Sequence, residues 1–217
     1  MKILALEFSS SQRSFAILDS ETNRVAGSAA EMGGRSTRAF ALIEQALQKA
    51  NLTREQIDCL AIGIGPGSYA GIRSAIALAQ GWQMARDVKL IGLSSVETIA
   101  SGLQHQRKFG RTNVVIDAQR NEFYLATYEI SASMLKESEA LRIVSADEIR
   151  SRIEAGQTVV GPELEKWFPQ ATLVYPEAGI TARLATMSKA FVSGDKIEPI
   201  YLRETTFVKA PPSRIIP

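Results

Sequence analysis

Apolar positions in the first half of the chain alternate between short runs and helical stripes. Ile3–Phe8 and Phe15–Leu18 are apolar runs on either side of a polar turn, Ser9-Ser10-Ser11-Gln12-Arg13. Val25–Ala30 follows as a third strand, so the pattern predicts a hairpin with one neighbour. Gly33-Gly34 breaks the chain. Phe40, Ile43, Leu47 and Ala50 then fall on one stripe, predicting a helix from about Arg35 to Ala50. Thr53 and Gln56 have the spacing of a capping box. Cys59–Ile64 is wholly apolar, as suits a strand covered on both faces. Ile72–Ala85 reads as a helix and Lys89–Leu93 as a strand. Ser94 and Glu97 form a second capping box before a helix over Val96–Gln104.

The second half repeats this order. Asn113–Asp117 and Phe123–Ile130 flank the polar turn Ala118-Gln119-Arg120-Asn121-Glu122, and Ala140–Val144 is a third strand. Ser145 and Glu148 cap a helix that ends near Gly156. Thr158–Val160 and Thr172–Tyr175 read as strands, with a short helix, Glu163–Phe168, between them. Leu184, Met187 and Phe191 predict a last helix over Ala182–Val192, with Gly194 where a C-terminal cap belongs. Both halves therefore read βββαβαβα. Glu7 and Asp117 each end a first strand, and Leu103–Thr112 is the natural linker. The predicted fold is α/β, a duplicated unit with subdomains over 1–104 and 105–217.

Composition narrows the chemistry. The chain has 217 residues, with 25 Lys and Arg against 23 Asp and Glu, a net charge of +2. That balance argues against a polybasic nucleic-acid coat. His105 is the one histidine and Cys59 the one cysteine. Two such residues build neither a four-ligand Cys/His zinc site nor an HExxH centre nor an internal disulfide. Carboxylate and phosphate sites for magnesium survive this exclusion. Cys59 reads as a small buried hydrophobe. Glu7 interrupts the apolar start before it reaches signal-peptide length, and no run of 18 apolar residues follows, so the expectation is cytoplasmic with no membrane span. Lys196, Arg203, Lys209 and Arg214, among Pro211-Pro212 and Pro217, read as a solvated tail ahead of an RNA contact.

The most informative stretch is Gly63-Ile64-Gly65-Pro66-Gly67-Ser68-Tyr69-Ala70-Gly71-Ile72-Arg73. It leaves a buried strand and opens a helix. Glycines allow close backbone approach, amides at a helix start favour an anion, and Arg73 adds a bidentate donor. Gly65–Ala70 also fits the dinucleotide pattern G-x-G-x-x-A, yet it follows the fourth strand rather than the first. A Walker A loop would need Gly-Lys-Ser/Thr where this chain has Gly71-Ile72-Arg73. A tight turn without ligand is the plain alternative. Glu7, Ser9, Ser10, Gly65, Gly67, Ser68, Asp117 and Arg120 are the candidates to face a phosphate or nucleotide. No residue is singled out as catalytic or as a metal ligand.

The run Gly65–Arg73 resembles the G-P-G-S-[FY]-[ST]-G-[LI]-R signature of the TsaB (YeaZ) family, the partner proteins of bacterial threonylcarbamoyladenosine synthesis on tRNA. Ile3–Ser10 is similar to the family's I-L-A-I-D-T-S start, and Leu90–Glu97 to its V-G-V-S-S-L-E. Val115–Arg120 is similar to its I-D-A-R-R run, Phe123-Tyr124 to the aromatic that follows, and Pro199–Arg203 to its P-x-Y-L-R. Three positions depart from the pattern. Glu7-Phe8 stands for Asp-Thr, Arg35-Ser36 for His-Ser, and Gln119 for the first arginine of the second hairpin.

The resemblance implies an actin-like ATPase (RNase H-like) fold, related to sugar kinases, whose nucleotide lies between the halves. It implies a non-catalytic subunit that binds and activates a TsaD-like catalytic protein, which itself carries metal through paired histidines that this chain does not have. A TsaE-like ATPase would join at the junction, with ATP or ADP there and no firm cofactor on this chain alone. Such proteins form homodimers when alone and meet tRNA only through the complex. The partner surface is placed on the two N-terminal helices: Phe40, Ile43, Leu47, Tyr69, Ile72, Arg73, Ala75, Ile76, Ala79 and Gln83. Gly71, Ala75 and Ala79 recur every fourth position, as do Ala77 and Gly81, and small residues so spaced let helices approach. The same spacing would equally seat the helix on its own sheet. A small-molecule kinase using Glu7 and Asp117 for Mg–ATP, or a peptidase using His105, are the alternatives.

Overall fold

The computed structural model describes residues 1–33 and 38–203. Two five-stranded sheets carry the same topology. In the first, β1 (Lys2–Glu7), β2 (Gln12–Asp19) and β3 (Arg24–Met32) form an antiparallel meander, and β4 (Cys59–Gly63) and β5 (Lys89–Leu93) join parallel on the other side of β1, giving the order β3-β2-β1-β4-β5. The second repeats it. β6 (Gly110–Asp117), β7 (Glu122–Ile130) and β8 (Leu135–Ser145) form the meander, and β9 (Thr158–Gly161) and β10 (Thr172–Leu173) complete the order β10-β9-β6-β7-β8. This duplicated arrangement is the actin-like fold in two subdomains. The register places Glu7 opposite Ser14 and Asp117 opposite Phe123, so each hairpin begins at a carboxylate.

Helices α1 (Ala39–Ala50) and α2 (Tyr69–Ala85) cover one face of the first sheet, where Phe8, Phe15, Ile17, Leu60 and Ile62 meet Leu42, Ile43, Ile72 and Ala75. The other face is covered from the far end of the chain. α5 (Ala178–Met187) sets Ile180, Ala182 and Leu184 against Ile3, Ala5, Ala61 and Ile91. Conversely α3 (Ser95–His105), from the first repeat, packs Val96, Ile99 and Leu103 on the second sheet, and α4 (Ala146–Glu154) covers that sheet's opposite face with Ile149. The repeats thus exchange their last helices, and α3 meets α5 with Thr98 Oγ1 3.5 Å from Thr181 Oγ1.

Several sequence expectations shift. The last helix begins at Ala178, where the Ala178 amide donates to Ser14 Oγ at 3.0 Å, and ends at Met187. The chain then straightens so that Val192 N–H can donate to Leu90 O, which draws Val192 out of the expected helix. Gly194 is no C-cap; it opens a 3-10 turn whose amide donates to Gln83 Oε1. Glu163–Phe168 forms turns rather than a helix, because Glu163 takes φ +54°. β8 is longer than Ala140–Val144, and α3 runs through His105, taking it out of the expected linker. The Thr53–Gln56 box is present, whereas Ser94 makes no side-chain cap. Arg35, Ser36, Lys209, Arg214, Pro211, Pro212 and Pro217 lie outside the described residues.

Candidate functional site

The candidate site lies where the glycine loop meets the turn of the first hairpin. Glu7, the last residue of β1, is fully buried. Its carboxylate accepts the Ser9 amide at 3.0 Å and the Ser95 hydroxyl at 3.3 Å. Burial raises its pKa above the ordinary glutamate range, against the opposing pull of Ser9, Ser95 and the more distant Arg13. Gly63 has no room for a side chain, because a β-carbon would overlap that carboxylate. Asp117 holds the equivalent place in the second repeat and accepts the Gln119 amide at 2.7 Å and Gln119 Nε2 at 2.9 Å. The duplication is therefore visible at one bond: each hairpin carboxylate caps the amide two residues on.

The glycine loop turns inward. Gly65 takes φ +97° and its carbonyl accepts the Ser95 amide, the Gly65–Pro66 bond is cis, and Gly67 takes φ +147° against Ser9. The Ser68 amide, well placed for an anion in such loops, donates instead to Ser9 O at 2.7 Å, and the Gly71 amide donates to Ser68 Oγ at 3.3 Å. Arg13 lies across the start of α2, donating to Ser68 Oγ at 3.3 Å and stacking 5.7 Å from the Phe8 ring centroid. Gly71 is glycine because any β-carbon there would strike this guanidinium and Phe8 O. Ser10 is buried and donates to Gln12 O. Of the eight phosphate candidates, the structure brings Glu7, Ser9, Gly67 and Ser68 into contact. Among the described residues no hydrogen bond or ion pair links them to Asp117 or to Arg120, which is exposed at φ +58°.

Three groups at this site stood outside the set of sequence candidates. Glu163 crosses from the second repeat to accept the Ser11 amide at 2.6 Å. The segment before residue 204 ties the halves as well. Ile200 N–H donates to Ile64 O, Tyr201 stacks on Tyr69 with centroids 5.5 Å apart, and Arg203 bonds Ala118 O and the Glu122 carboxylate. Arg13 was read only as part of a polar turn. Gly161-Pro162-Glu163 after β9 echoes Gly65-Pro66-Gly67 after β4, and that echo is the signal that could have found Glu163.

The surface helices divide their residues cleanly. Ile43, Leu47, Ile72, Ala75, Ile76 and Ala79 lie in the chain's own core, because the stripe that seats α1 and α2 on the sheet is the one the apolar spacing marks. Gln83 is spent between Gly194 N–H and Val88 O. Phe40 and Tyr69 are more than half exposed, and Arg73 packs over the Tyr69 ring and bonds its hydroxyl. One step round α2 a second row, Ala70, Ser74, Ala77, Gly81 and Met84, is exposed, and nothing lies within 4 Å of a β-carbon built on Gly81.

His105 is exposed at the end of α3 and lines a separate surface cavity of about 510 Å³ with Lys49, Ser28, Glu177 and Arg183. Burial pushes the Cys59 thiol up to about 12, so it is inert at neutral pH. Among the described residues, no three His, Cys, Asp or Glu side chains gather as a metal set, and no helix is long and apolar enough to cross a membrane.

A family model described as "TsaD: tRNA N6-adenosine threonylcarbamoyltransferase" matches residues 35–205. Two curated relatives are each named tRNA threonylcarbamoyladenosine biosynthesis protein TsaB. The one from Haemophilus influenzae is 27% identical over 195 residues, 80% of this chain and 82% of that protein. The one from Escherichia coli is 27% identical over 198 residues, 82% of this chain and 84% of that protein. The chain belongs to this family, in its TsaB (YeaZ) branch. The solved YeaZ of Pseudomonas aeruginosa, 23% identical, superposes with a TM-score of 0.77 over 93% of this chain and 99% of that one, which agrees with the fold. Within this TsaB chain the Gly65–Arg73 signature has a packing cause. Gly67 must clear Ser9, Gly71 must clear Arg13, and Ser68 caps α2.

Proposed function

We propose that this chain acts in tRNA threonylcarbamoyladenosine biosynthesis as a binding subunit without its own active site, and that it docks on a TsaD-like catalytic protein and supports its activity. The commitment of the glycine loop carries this reading. The Ser68 and Gly71 amides, the Ser9 carbonyl and the Glu7 carboxylate are all engaged within the chain. A kinase of this fold would need those amides for phosphate and that carboxylate for magnesium. The TsaB names of the relatives supply the pathway.

Docking uses the outward row of α2 with Phe40 of α1. Ala70, Ser74, Ala77 and Gly81 leave the helix backbone open to close approach, and Phe40 and Met84 add apolar area at either side. In the absence of a TsaD-like partner the same face pairs two copies of this chain. A TsaE-like ATPase joins at the junction, ATP or ADP is held there rather than on this chain, and tRNA is reached through the complex. The test is direct. The purified chain alone will neither hydrolyse ATP nor transfer a threonylcarbamoyl group, and mixing it with TsaD from the same source will yield a stable complex with raised modification activity. Stoichiometric turnover by the isolated chain would refute the reading.

A further inference from the structure

β3 is an outer edge of the first sheet and pairs with β2 alone. Two bonds fix which of its groups face outward. Gly33 N–H donates to Ser11 O, one step beyond the Gln12–Met32 pair, and Lys49 Nζ donates to Ser28 O at 2.8 Å from outside the sheet. Backbone groups of an antiparallel strand point alternately to its two sides. Ser28, Ala30 and Met32 therefore turn their amides and carbonyls away from β2. A lysine over an edge strand guards it against pairing, yet among the described residues Lys49 covers the Ser28 carbonyl and leaves the Ala30 amide and carbonyl open.

Two cavities run along this edge and share Val25. One, of about 510 Å³, is lined by Ser28, Ala29 and Ala30 with Lys49 and Arg183. The other, of about 440 Å³, is lined by Arg24, Val25 and Ala26 with Lys2 and Asp19. Together they follow β3 from Arg24 to Ala30, about 20 Å at the usual rise of a strand, which suits an extended chain better than a compact ligand. Their charges are unbalanced. Lys2 pairs with Asp19 at 2.6 Å, but Arg24, Lys49 and Arg183 meet no carboxylate among the described residues. Lys49 and Arg183 bond the neutral carbonyls of Ser28 and Asn23, and Glu177 is the unpaired acid set against these three cations. Val25 and Met32 are exposed on the same strand and add apolar area.

We propose that the β3 edge docks an extended acidic segment of a partner protein, which adds a strand beside Ser28–Met32 and sets its carboxylates against Arg24, Lys49 and Arg183. The charges disfavour two other occupants. A second copy would bring the same cations edge to edge. The chain's own residues 204–217 carry Lys209 and Arg214, and Pro211-Pro212 has no amide for a ladder. The site is apart from the outward row of α2, because β3 is the strand farthest from β5 and α2 packs on β1, β4 and β5. The inference therefore stands whether or not α2 docks a TsaD-like protein.

The test is a set of amide spectra of the full-length chain, titrated with a blocked peptide of four Val-Glu repeats and with its Val-Lys counterpart. The acidic peptide is expected to shift the Ser28 and Ala30 signals saturably and to slow exchange at the Ala30 amide; the basic peptide should do neither. Lys49→Glu with Arg183→Glu is expected to weaken binding about tenfold or more with the unfolding midpoint unchanged. Ala30→Pro removes an outward amide at a sheet edge, where proline is tolerated, and should abolish binding. Should that variant fail to fold, the charge variant decides. No shift with the acidic peptide, equal shifts with both peptides, or undiminished affinity in the charge variant overturns the proposal. So does an Ala30 amide already protected in the free chain: protection that grows with protein concentration would put a second copy on the edge, and protection independent of it would put the chain's own segment there.

Discussion

Gly63 and Glu7 are packed so closely that a β-carbon on the glycine would overlap the carboxylate. The two residues sit on adjacent parallel strands, and the buried carboxylate uses the space that a side chain would fill. Gly63→Ala is therefore expected to lower stability by about 1–3 kcal/mol, the usual cost of overpacking in a well-filled core. Urea unfolding will measure it, and a loss under about 0.5 kcal/mol would mean that Glu7 can move aside.

Glu7 also sets a pH dependence. Its folded pKa is raised by burial, so between the ordinary glutamate value and that raised value the native state holds the proton that the unfolded chain has released. The stability tied to the neutral form is full below about 4.5 and is lost as pH rises through the folded pKa. Glu7→Gln is expected to remove this fall and to leave the chain at least as stable as wild type above neutrality. Midpoints for both proteins from pH 4.5 to 8 will show it; parallel curves would contradict the assignment.

The second sheet titrates with the opposite sign. Arg152 binds Glu139 at 2.7 Å, Glu148 at 3.0 Å and the buried Asn113 Oδ1 at 2.7 Å, while Arg111 adds a second bond to Glu139. These cations hold the Glu139 carboxyl at about 2, with Arg152 the largest cause. Its contribution is full above about 4.5 and is lost as pH falls from there through the folded value of about 2. Glu139→Gln should flatten acid unfolding in this window. Arg152→Ala should cost about 2 kcal/mol at neutral pH by leaving Asn113 and Glu139 short of a donor. An unchanged acid limb in Glu139→Gln would show that other carboxylates control it.

Much of this fold was legible in the chain. The element order along each half, the duplication and the paired hairpin carboxylates follow from apolar runs around two polar turns. What escaped was set by contacts distant in sequence. Leu184, Met187 and Phe191 fit a helix, yet Val192 pairs with Leu90 and the Ala178 amide finds Ser14, so α5 begins and ends earlier. The glycine loop was recognisable from residues 63–73, but its spacing does not say whether the amides point to a ligand or to Ser9. The helical stripe of Ile43, Leu47, Ile72 and Ile76 was real, and periodicity could not tell that it faces inward. Glu163 went unread because its role appears only when the two hairpin regions meet.

A charge at Ile76 would strike the chain's own core, whereas Ala77 is exposed in the outward row of α2. The most direct test of the partner role is therefore the dissociation constant between this chain and TsaD from the same source, measured by sedimentation for wild type and Ala77→Arg. A stable wild-type complex, weakened about 30-fold or more in Ala77→Arg with the variant's own unfolding midpoint unchanged, is the predicted result. Absence of a wild-type complex, or equal affinity in the variant, would contradict the account.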